Sequence, residues 1–287
     1  MVTRPQKTRF QPGPSRKQSK DQLIERFEQK YVVHPSVVPQ IREFIRPFCI
    51  PDPNGRGEIP EYTVTTMQLD TAGSSLALAK ERKAFSRFKL RIRTYGTEGA
   101  PSDPVFFEIK RKVGGVIVKS RAKMVRAQYD AEMFECASAV PRLSTPKDNT
   151  NLIDFLRLRR QVGALPKILV RYIRESYFGE NDDYARVTFD RRISYRPTDL
   201  WDLPTSGSER SKRWRAMDTQ TGLKTGFAGY VFELKAMRDA PTWMLELIER
   251  FDLNSIGFSK YATAHRLESL YSQSEYTCAG ENVTQSW

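Results

Sequence analysis

Charged side chains recur at every second position in five short stretches of this chain, and most of them are arginine or lysine. In FKLRIRTY (88–95), Lys89, Arg91, Arg93 and Tyr95 share one face of an extended strand, while Phe88, Leu90 and Ile92 share the other. FEQKY (27–31), VFFEIKRK (105–112), VRYIRESY (170–177) and YVFELKAM (230–237) each pair a charged row with a largely apolar one. Arginine presents a planar fork of donors that matches phosphate oxygens; lysine acts as a point charge. Carboxylates enter these rows singly, as Glu28, Glu108 and Glu233. A few carboxylates in a cationic setting are what a divalent ion needs to bind beside phosphates. These residue types therefore point to metal-assisted phosphate chemistry rather than to simple anion adhesion.

The same alternation has an ordinary reading, in which charges face water and the apolar row covers a core. A sheet curled into a barrel reverses it, with the charged rows lining a channel and the apolar rows facing helices outside. Composition alone does not choose between the two. The density of arginine and the isolated carboxylates favour the channel.

The elements that would position these rows follow from pattern and punctuation. Ser36 to Arg46 reads as a helix, with Val38, Ile41, Phe44 and Ile45 at helical spacing, Ser36 as N-cap and Pro47 as its stop. PDPNGRGEIP (51–60) reads as a loop and YTVTTMQLDT (62–71) as a strand. Residues 72–86 read as helical or irregular. The strand at 88–95 stops at Gly96 and pairs as a hairpin with 105–112, after which Gly114-Gly115 turns the chain into VIVKSRAKM. Residues 123–137 and 151–162 read as helices, 167–178 and 184–196 as a second hairpin, 228–237 as a strand, and 240–252 and 259–272 as helices. Residues 1–20 form a basic tail expected to be disordered, and 276–287 a C-terminal tail. Between them, 21–275 reads as one domain, interrupted at 198–226 by a polar insertion or flap.

Composition narrows the function classes. The chain has 287 residues, a formal net charge of +13, and 39% hydrophobic residues. The charge calls for an anionic partner. No apolar run has the length of a membrane span, so a cytoplasmic location is expected. Cys49, Cys136 and Cys278 are far apart and odd in number, giving neither a disulfide framework nor zinc spacing. With only His34 and His265 present, a histidine metal site or histidine triad is not expected.

The order of the strands resembles the VTC domain, the polyphosphate polymerase branch of the CYTH-like triphosphate tunnel metalloenzymes, over about residues 24–272. The motifs that carry the resemblance are FEQKY, LDT (69–71), KLRIRTYG, FFEIKRK, VKSR (118–121), RYIRESY, ARVTFDR (185–191), FELK (232–235) and FSKYATA (258–264). It implies an α+β fold: an antiparallel β-barrel forming a cationic tunnel, with helices packed outside. It also implies that Lys30, Arg91, Arg93, Lys110, Arg174, Arg186 and Lys260 do the catalytic work on phosphate, and that Lys119, Arg121, Tyr172 and Ser259 bind substrate. The metal-binding glutamate of the family matches Glu233; Glu28 and Glu108 are alternatives, as ligands or as groups that orient cations. Asp70 of LDT reads as structural rather than catalytic.

The function implied is transfer of the γ-phosphate of ATP to inorganic polyphosphate, with Mn2+ or Mg2+ as cofactor and ATP and polyphosphate as partners. The alternatives are a tripolyphosphatase or nucleoside triphosphatase in the same tunnel, and a non-catalytic binder of polyphosphate or nucleic acid. Trp201 and Trp214, flanking the basic insertion, would be the stacking groups of a nucleic-acid element, although none is expected. The first strand of the broader superfamily reads ExExK, and Arg26 occupies its first glutamate position, which weakens the hydrolase reading. Gln68 replaces the usual aromatic two residues before the LDT aspartate. The regulatory domain and membrane spans of eukaryotic forms are absent, so a stand-alone bacterial-type version is expected.

Overall fold

The computed structural model describes residues 26–55, 57–96, 99–114, 116–181, 184–204, 213–237 and 239–283. The basic tail at 1–20 and the middle of the 198–226 segment therefore lie outside the described residues. In chain order the elements are β1 (Arg26–Val33), α1 (Val38–Ile45), β2 (Cys49–Pro51), β3 (Glu61–Asp70), α2 (Ser75–Glu81), β4 (Ser86–Tyr95), β5 (Pro104–Val113), β6 (Val116–Val125), α3 (Pro146–Val162), β7 (Leu165–Gly179), β8 (Arg186–Pro197), β9 (Arg215–Ala216), α4 (Gln220–Leu223), β10 (Tyr230–Met237), α5 (Thr242–Arg250) and α6 (Lys260–Val283).

The strands form one ten-stranded sheet in the order β1-β10-β8-β7-β3-β4-β5-β6, with β2 added on β7 and β9 on β8. All its pairs are antiparallel. The sheet curls into a half-barrel. Its edge strands β1 and β6 are not hydrogen-bonded to each other among the described residues. The curl nevertheless brings opposite walls into electrostatic reach, since Glu28 of β1 acts on Lys110 of β5.

The period-two pattern sorts the two faces as the channel reading requires. The outward row of β3 to β6, including Leu69, Leu90, Ile92, Phe107, Ile109 and Ala122, is buried under Leu152 and Phe155 of α3 and under Met133 and Phe134. On the other flank, Tyr31, Val33, Val187, Phe189, Phe232 and Leu234 are buried under Ile41 and Ile45 of α1 and Met244 and Leu247 of α5. A third cluster seats Tyr261, Ala264 and Leu267 of α6 against Val170, Tyr172 and Val231. Apolar burial on the outside thus holds the curl and leaves the charged rows to the inside.

Several local expectations need correction. The helix expected at 123–137 does not form: β6 runs to Val125, and short 3-10 turns follow at Arg126–Gln128, Ala131–Phe134 and Ala137–Ala139. Met133 and Phe134 are adjacent yet both buried, which a helical stripe does not achieve, and Arg159 Nη1 donates to the Phe134 carbonyl at 2.8 Å. Ser36 is not the cap of the first helix. His34 caps a 3-10 turn at Pro35–Val37, its Nδ1 accepting the Ser36 N–H, and α1 follows directly. Cys49–Pro51 is a short strand against Tyr177–Gly179 just before the predicted loop. Of 72–86, only Ser75–Glu81 is helical. α3 starts at Pro146, capped by Thr145, and ends at Gly163, whose φ of 64° only glycine adopts without strain. α6 continues to Val283, past the expected boundaries at 272 and 275.

Candidate active site

All the candidate residues meet at one place. Lys30, Arg91, Arg93, Lys110, Lys119, Arg121, Tyr172, Arg174, Arg186, Ser259, Lys260 and the carboxylates Glu28, Glu108 and Glu233 line a single cavity of about 1470 Å³ on the concave side of the sheet. That exceeds the 300–1,000 Å³ or so usual for small-ligand pockets. Ladder register explains the convergence. Arg91 pairs with Glu108, which pairs with Arg121; Lys30 pairs with Glu233, which pairs with Thr188. Ser259 and Lys260 arrive from the start of α6, where Lys89 Nζ donates to Ser259 Oγ at 3.1 Å.

The carboxylates are embedded in cations. Glu108, 6% exposed, accepts from Arg91 Nε at 2.5 Å and from Arg121 Nη2 at 2.5 Å, with Arg93 Nε 3.7 Å away. Burial alone would raise its carboxyl, but Arg91, Arg93 and Arg121 prevail and hold it down to about 2. Glu233, 5% exposed, lies 2.9 Å from Lys235 Nζ, 3.1 Å from Lys30 Nζ and 3.9 Å from Arg174 Nη2. Here too burial works against the charge, and Lys235, Lys30, Arg174 and Lys260 outweigh it, keeping Glu233 ionised well below the usual range. Lys30 Nζ also donates to Glu28 at 3.0 Å, so one ammonium bridges two carboxylates of adjacent strands.

The remaining cations are less well compensated. Burial, reinforced by Arg91, Lys110, Lys80 and Lys30, pushes Lys89 down to about 7. Burial pushes Lys110 down to about 8 despite the opposing pull of Glu28. Two buried polar atoms of the cavity wall, Arg93 Nε and Thr66 Oγ1, have no hydrogen-bond partner. Buried donors left in this state are rare in folded proteins and suit a ligand rich in acceptor oxygens. Tyr172 is only 3% exposed; its ring lies beneath Lys260 Nζ at 4.3 Å and the Arg174 guanidinium at 5.3 Å, as a platform for both.

Some participants escaped the sequence reading. Asp190, between strand positions already suspected, accepts both Nε and Nη2 of Arg174 at 2.7 and 2.8 Å and Lys260 Nζ at 2.5 Å. The period-two row Arg186, Thr188, Asp190 would have found it. Lys235 and Lys89 belong to recognised rows and reach the same cavity. Asp70 is structural, as expected. Fully buried, it accepts the backbone N–H groups of Thr71, Leu76 and Ala77 and the Tyr261 hydroxyl, fixing α2 and α6 to β3. Trp201 stacks on Phe134 with ring centroids 3.6 Å apart, and the Trp214 ring lies under Arg171 and Arg196, so both indoles are engaged within the fold.

A curled antiparallel sheet with its cations and carboxylates inside and its helices outside defines a tunnel-fold protein. Residues 25–268 match the VTC domain family, and the chain belongs to it. That membership makes it a tunnel-fold enzyme of nucleotide or polyphosphate phosphoryl transfer. No curated protein matches the chain. Among solved structures, the PH1819 protein of Pyrococcus horikoshii OT3 is 13% identical over 84% of this chain and 98% of its own, with a TM-score of 0.42. A Vibrio parahaemolyticus protein provisionally named an adenylate cyclase is 12% identical over 85% of this chain and 99% of its own, with a TM-score of 0.40. Superpositions of this quality bear on neither substrate nor reaction.

The family implies a divalent metal, and the residues present fit one of a particular kind. No group of three or more histidine, cysteine, aspartate or glutamate side chains converges among the described residues, so an all-protein cage is not available. Glu233 and Glu28, joined through Lys30, offer two carboxylates beside a space lined by arginine and lysine. Hard cations such as Mg2+ commonly bind through one or two carboxylates, completing their shell with substrate phosphate and water. Among the described residues no helix is long and apolar enough to cross a membrane.

Proposed function

We propose that this chain transfers the γ-phosphate of ATP to the end of an inorganic polyphosphate chain. The observation that carries this reading is Arg93 Nε, buried without a hydrogen bond and 3.7 Å from Glu108, in a wall whose lysines and arginines far outnumber its carboxylates. Arg91 and Arg93 would hold γ-phosphate oxygens, their forks pre-aimed by Glu108, which neutralises only part of their charge. Arg174 and Lys260, fixed by Asp190, would hold the neighbouring phosphates, and Lys110, Lys119 and Arg186 the rest of the two anions. A divalent cation at Glu233, with Glu28 beside it, would supply charge neutralisation across phosphate oxygens. The attacking group is a terminal phosphate oxygen of the chain, already ionised at neutral pH, so no histidine or cysteine is required. It bonds to the γ-phosphorus as the bridge to the β-phosphate breaks, and ADP leaves with that bridging oxygen.

The test is incubation with ATP and Mn2+, with products separated on a gel stained for polyphosphate. ADP with a ladder of long polyphosphate is expected. ADP accompanied by orthophosphate alone would assign hydrolysis, with water at the acceptor position. Retained polyanion binding without turnover under any divalent metal would assign a binder.

A further inference from the structure

Two turns meet at one end of the sheet and leave apolar side chains bare. The turn from α2 into β4 and the turn from β5 into β6 are joined by a hydrogen bond from the Gly114 N–H to the Phe85 carbonyl at 2.9 Å. Register sets Val113 beside Val116, and Arg111 beside Val118, on the face of the sheet that carries Leu90 and Ile109. α3 reaches this face at Ser120, whose hydroxyl donates to Asn151 Oδ1 at 3.0 Å. Val113, Val116 and Val118 lie beyond it, each at least 40% exposed, and β6 is an edge strand with no neighbour on its other side among the described residues. Phe85 is 75% exposed. Its ring lies over Gly114, where φ is 57° and a β-carbon would come within 3.2 Å of Phe85 Cε2, so the glycine that makes the turn also seats the ring. Exposed apolar side chains are ordinary when scattered singly; four gathered on one tip mark a contact surface.

The polar groups around the tip are nearly all of one sign. Arg82 and Lys83, both exposed, end α2 just before Phe85, and Arg111 flanks Val118. Glu81 is the sole carboxylate in 79–93 and 109–123. Arg82, Lys83 and Arg111 take part in no ion pair among the described residues. Lys83 has a φ of 52°, in the left-handed position after a helix where glycine is the usual residue, so a cation is kept there at a cost in backbone strain. None of these tip residues lines the large cavity.

An exposed apolar tip within a cationic collar needs a medium that accepts apolar groups and is negative at its surface. A bilayer with anionic headgroups is both. We propose that this tip docks on an anionic membrane surface. Phe85, Val113, Val116 and Val118 enter the boundary between headgroups and acyl chains, while Arg82, Lys83 and Arg111 rest among the lipid phosphates. The contact is peripheral and reversible, and it is independent of the phosphoryl-transfer reading of the cavity.

The experiment is co-sedimentation of the full chain with vesicles at about 0.15 M salt, where exposed charges are screened beyond about 8 Å. Vesicles of phosphatidylcholine mixed with phosphatidylglycerol should carry the protein down, and vesicles of phosphatidylcholine alone should not. Phe85→Ser with Val116→Ser should weaken binding about tenfold or more, as loss of two inserted apolar side chains does. It should melt as wild type does, because both side chains are exposed. Arg82→Gln with Lys83→Gln should weaken binding to the mixed vesicles several-fold. Arg157→Gln with Arg160→Gln removes the same charge from exposed positions on α3 and should change binding little. In a separate reading, Phe85→Trp fluorescence should be quenched by bromine on the lipid chains beyond any quenching of the native tryptophans. Equal losses in the two charge variants would mean adhesion by net charge alone and would overturn the proposal. So would full binding by the serine variant, or no added quenching in Phe85→Trp. Failure to bind the mixed vesicles would overturn it too, and would leave the tip to a protein partner.

Discussion

Arg174 and Asp190 face each other in register on β7 and β8 and close a two-pronged ion pair, with Nε–Oδ1 at 2.7 Å and Nη2–Oδ2 at 2.8 Å. Asp190 is 1% exposed, and it also holds Lys260 from the start of α6. One carboxylate therefore locks two cations of the cavity and ties a helix to the sheet. Asp190→Asn keeps the shape but removes the ion-pair partner of Lys260 and leaves Arg174 only Glu233, 3.9 Å away. Removing one partner of a buried pair costs about 3–5 kcal/mol. Urea unfolding should show a loss of that size, and substrate affinity should fall with it. A loss below about 1 kcal/mol would mean that Arg174 and Lys260 are held by their other contacts.

Glu108 has a different task. Three arginines surround it, and its Oε2 and Oε1 orient the guanidinium forks of Arg91 and Arg121. Glu108→Gln should raise the KM for ATP by about tenfold, as expected when arginine forks lose their alignment, and leave metal affinity unchanged. Its carboxyl is depressed to about 2 in the fold, so the stability it contributes is present above about pH 4.5 and is lost as pH falls toward 2. Wild type should lose stability over that interval more steeply than the glutamine variant, as read by thermal melting across the range.

The strand rows were legible because period two is a strong signal when the two residue classes differ as much as arginine and leucine. Lys89, Arg91 and Arg93 share the cavity, while Leu90 and Ile92 are fully buried outside it. What alternation alone did not give was the direction of curl; that depends on helices far along the chain, such as α3 placing Phe155 against Phe107 with centroids 5.3 Å apart. Asp190 was missed because a single aspartate in a strand is ambiguous until the register opposite Arg174 is known. The failed helix at 123–137 carried apolar residues at plausible spacing, but Asp130 accepts the Glu132 N–H and starts a tighter turn. His34 took the capping place expected of Ser36 because Pro35 begins the 3-10 turn one residue earlier.

Glu233 and Glu108 should separate in their response to metal. Glu233→Gln removes the charge that would hold a cation beside the phosphates, and turnover should fall on the order of a hundredfold or more, since a metal's charge stabilisation is worth several kcal/mol. Binding of Mn2+, followed by electron paramagnetic resonance in the presence of tripolyphosphate, should weaken in this variant and persist in Glu108→Gln. Because Lys30 and Lys235 both pair with Glu233, a modest loss of melting temperature is expected as well. Unchanged Mn2+ binding in the Glu233 variant would move the metal to Glu28.

Lys89 gives the cavity a pH response of predictable sign. Its ammonium is pushed down to about 7 by burial and by the cations around it, whereas an unfolded lysine titrates near 10.4. Between these values the unfolded chain binds the proton and the folded chain does not, so this group makes the ligand-free protein more stable as pH rises from about 7 toward 10. Binding reverses the preference. A polyphosphate beside Lys89 favours the charged form, so binding at about pH 8 should take up protons, and affinity should weaken as pH rises past 7. Titration of tripolyphosphate in buffers of different ionisation enthalpy would measure the uptake directly. Lys89→Arg keeps a charge at every accessible pH, so its proton uptake should shrink and its affinity should fall less between about pH 6.5 and pH 8.5. If wild type and variant take up the same number of protons, Lys89 is already charged in the free cavity. Lys110, lowered to about 8, would then be the group to replace.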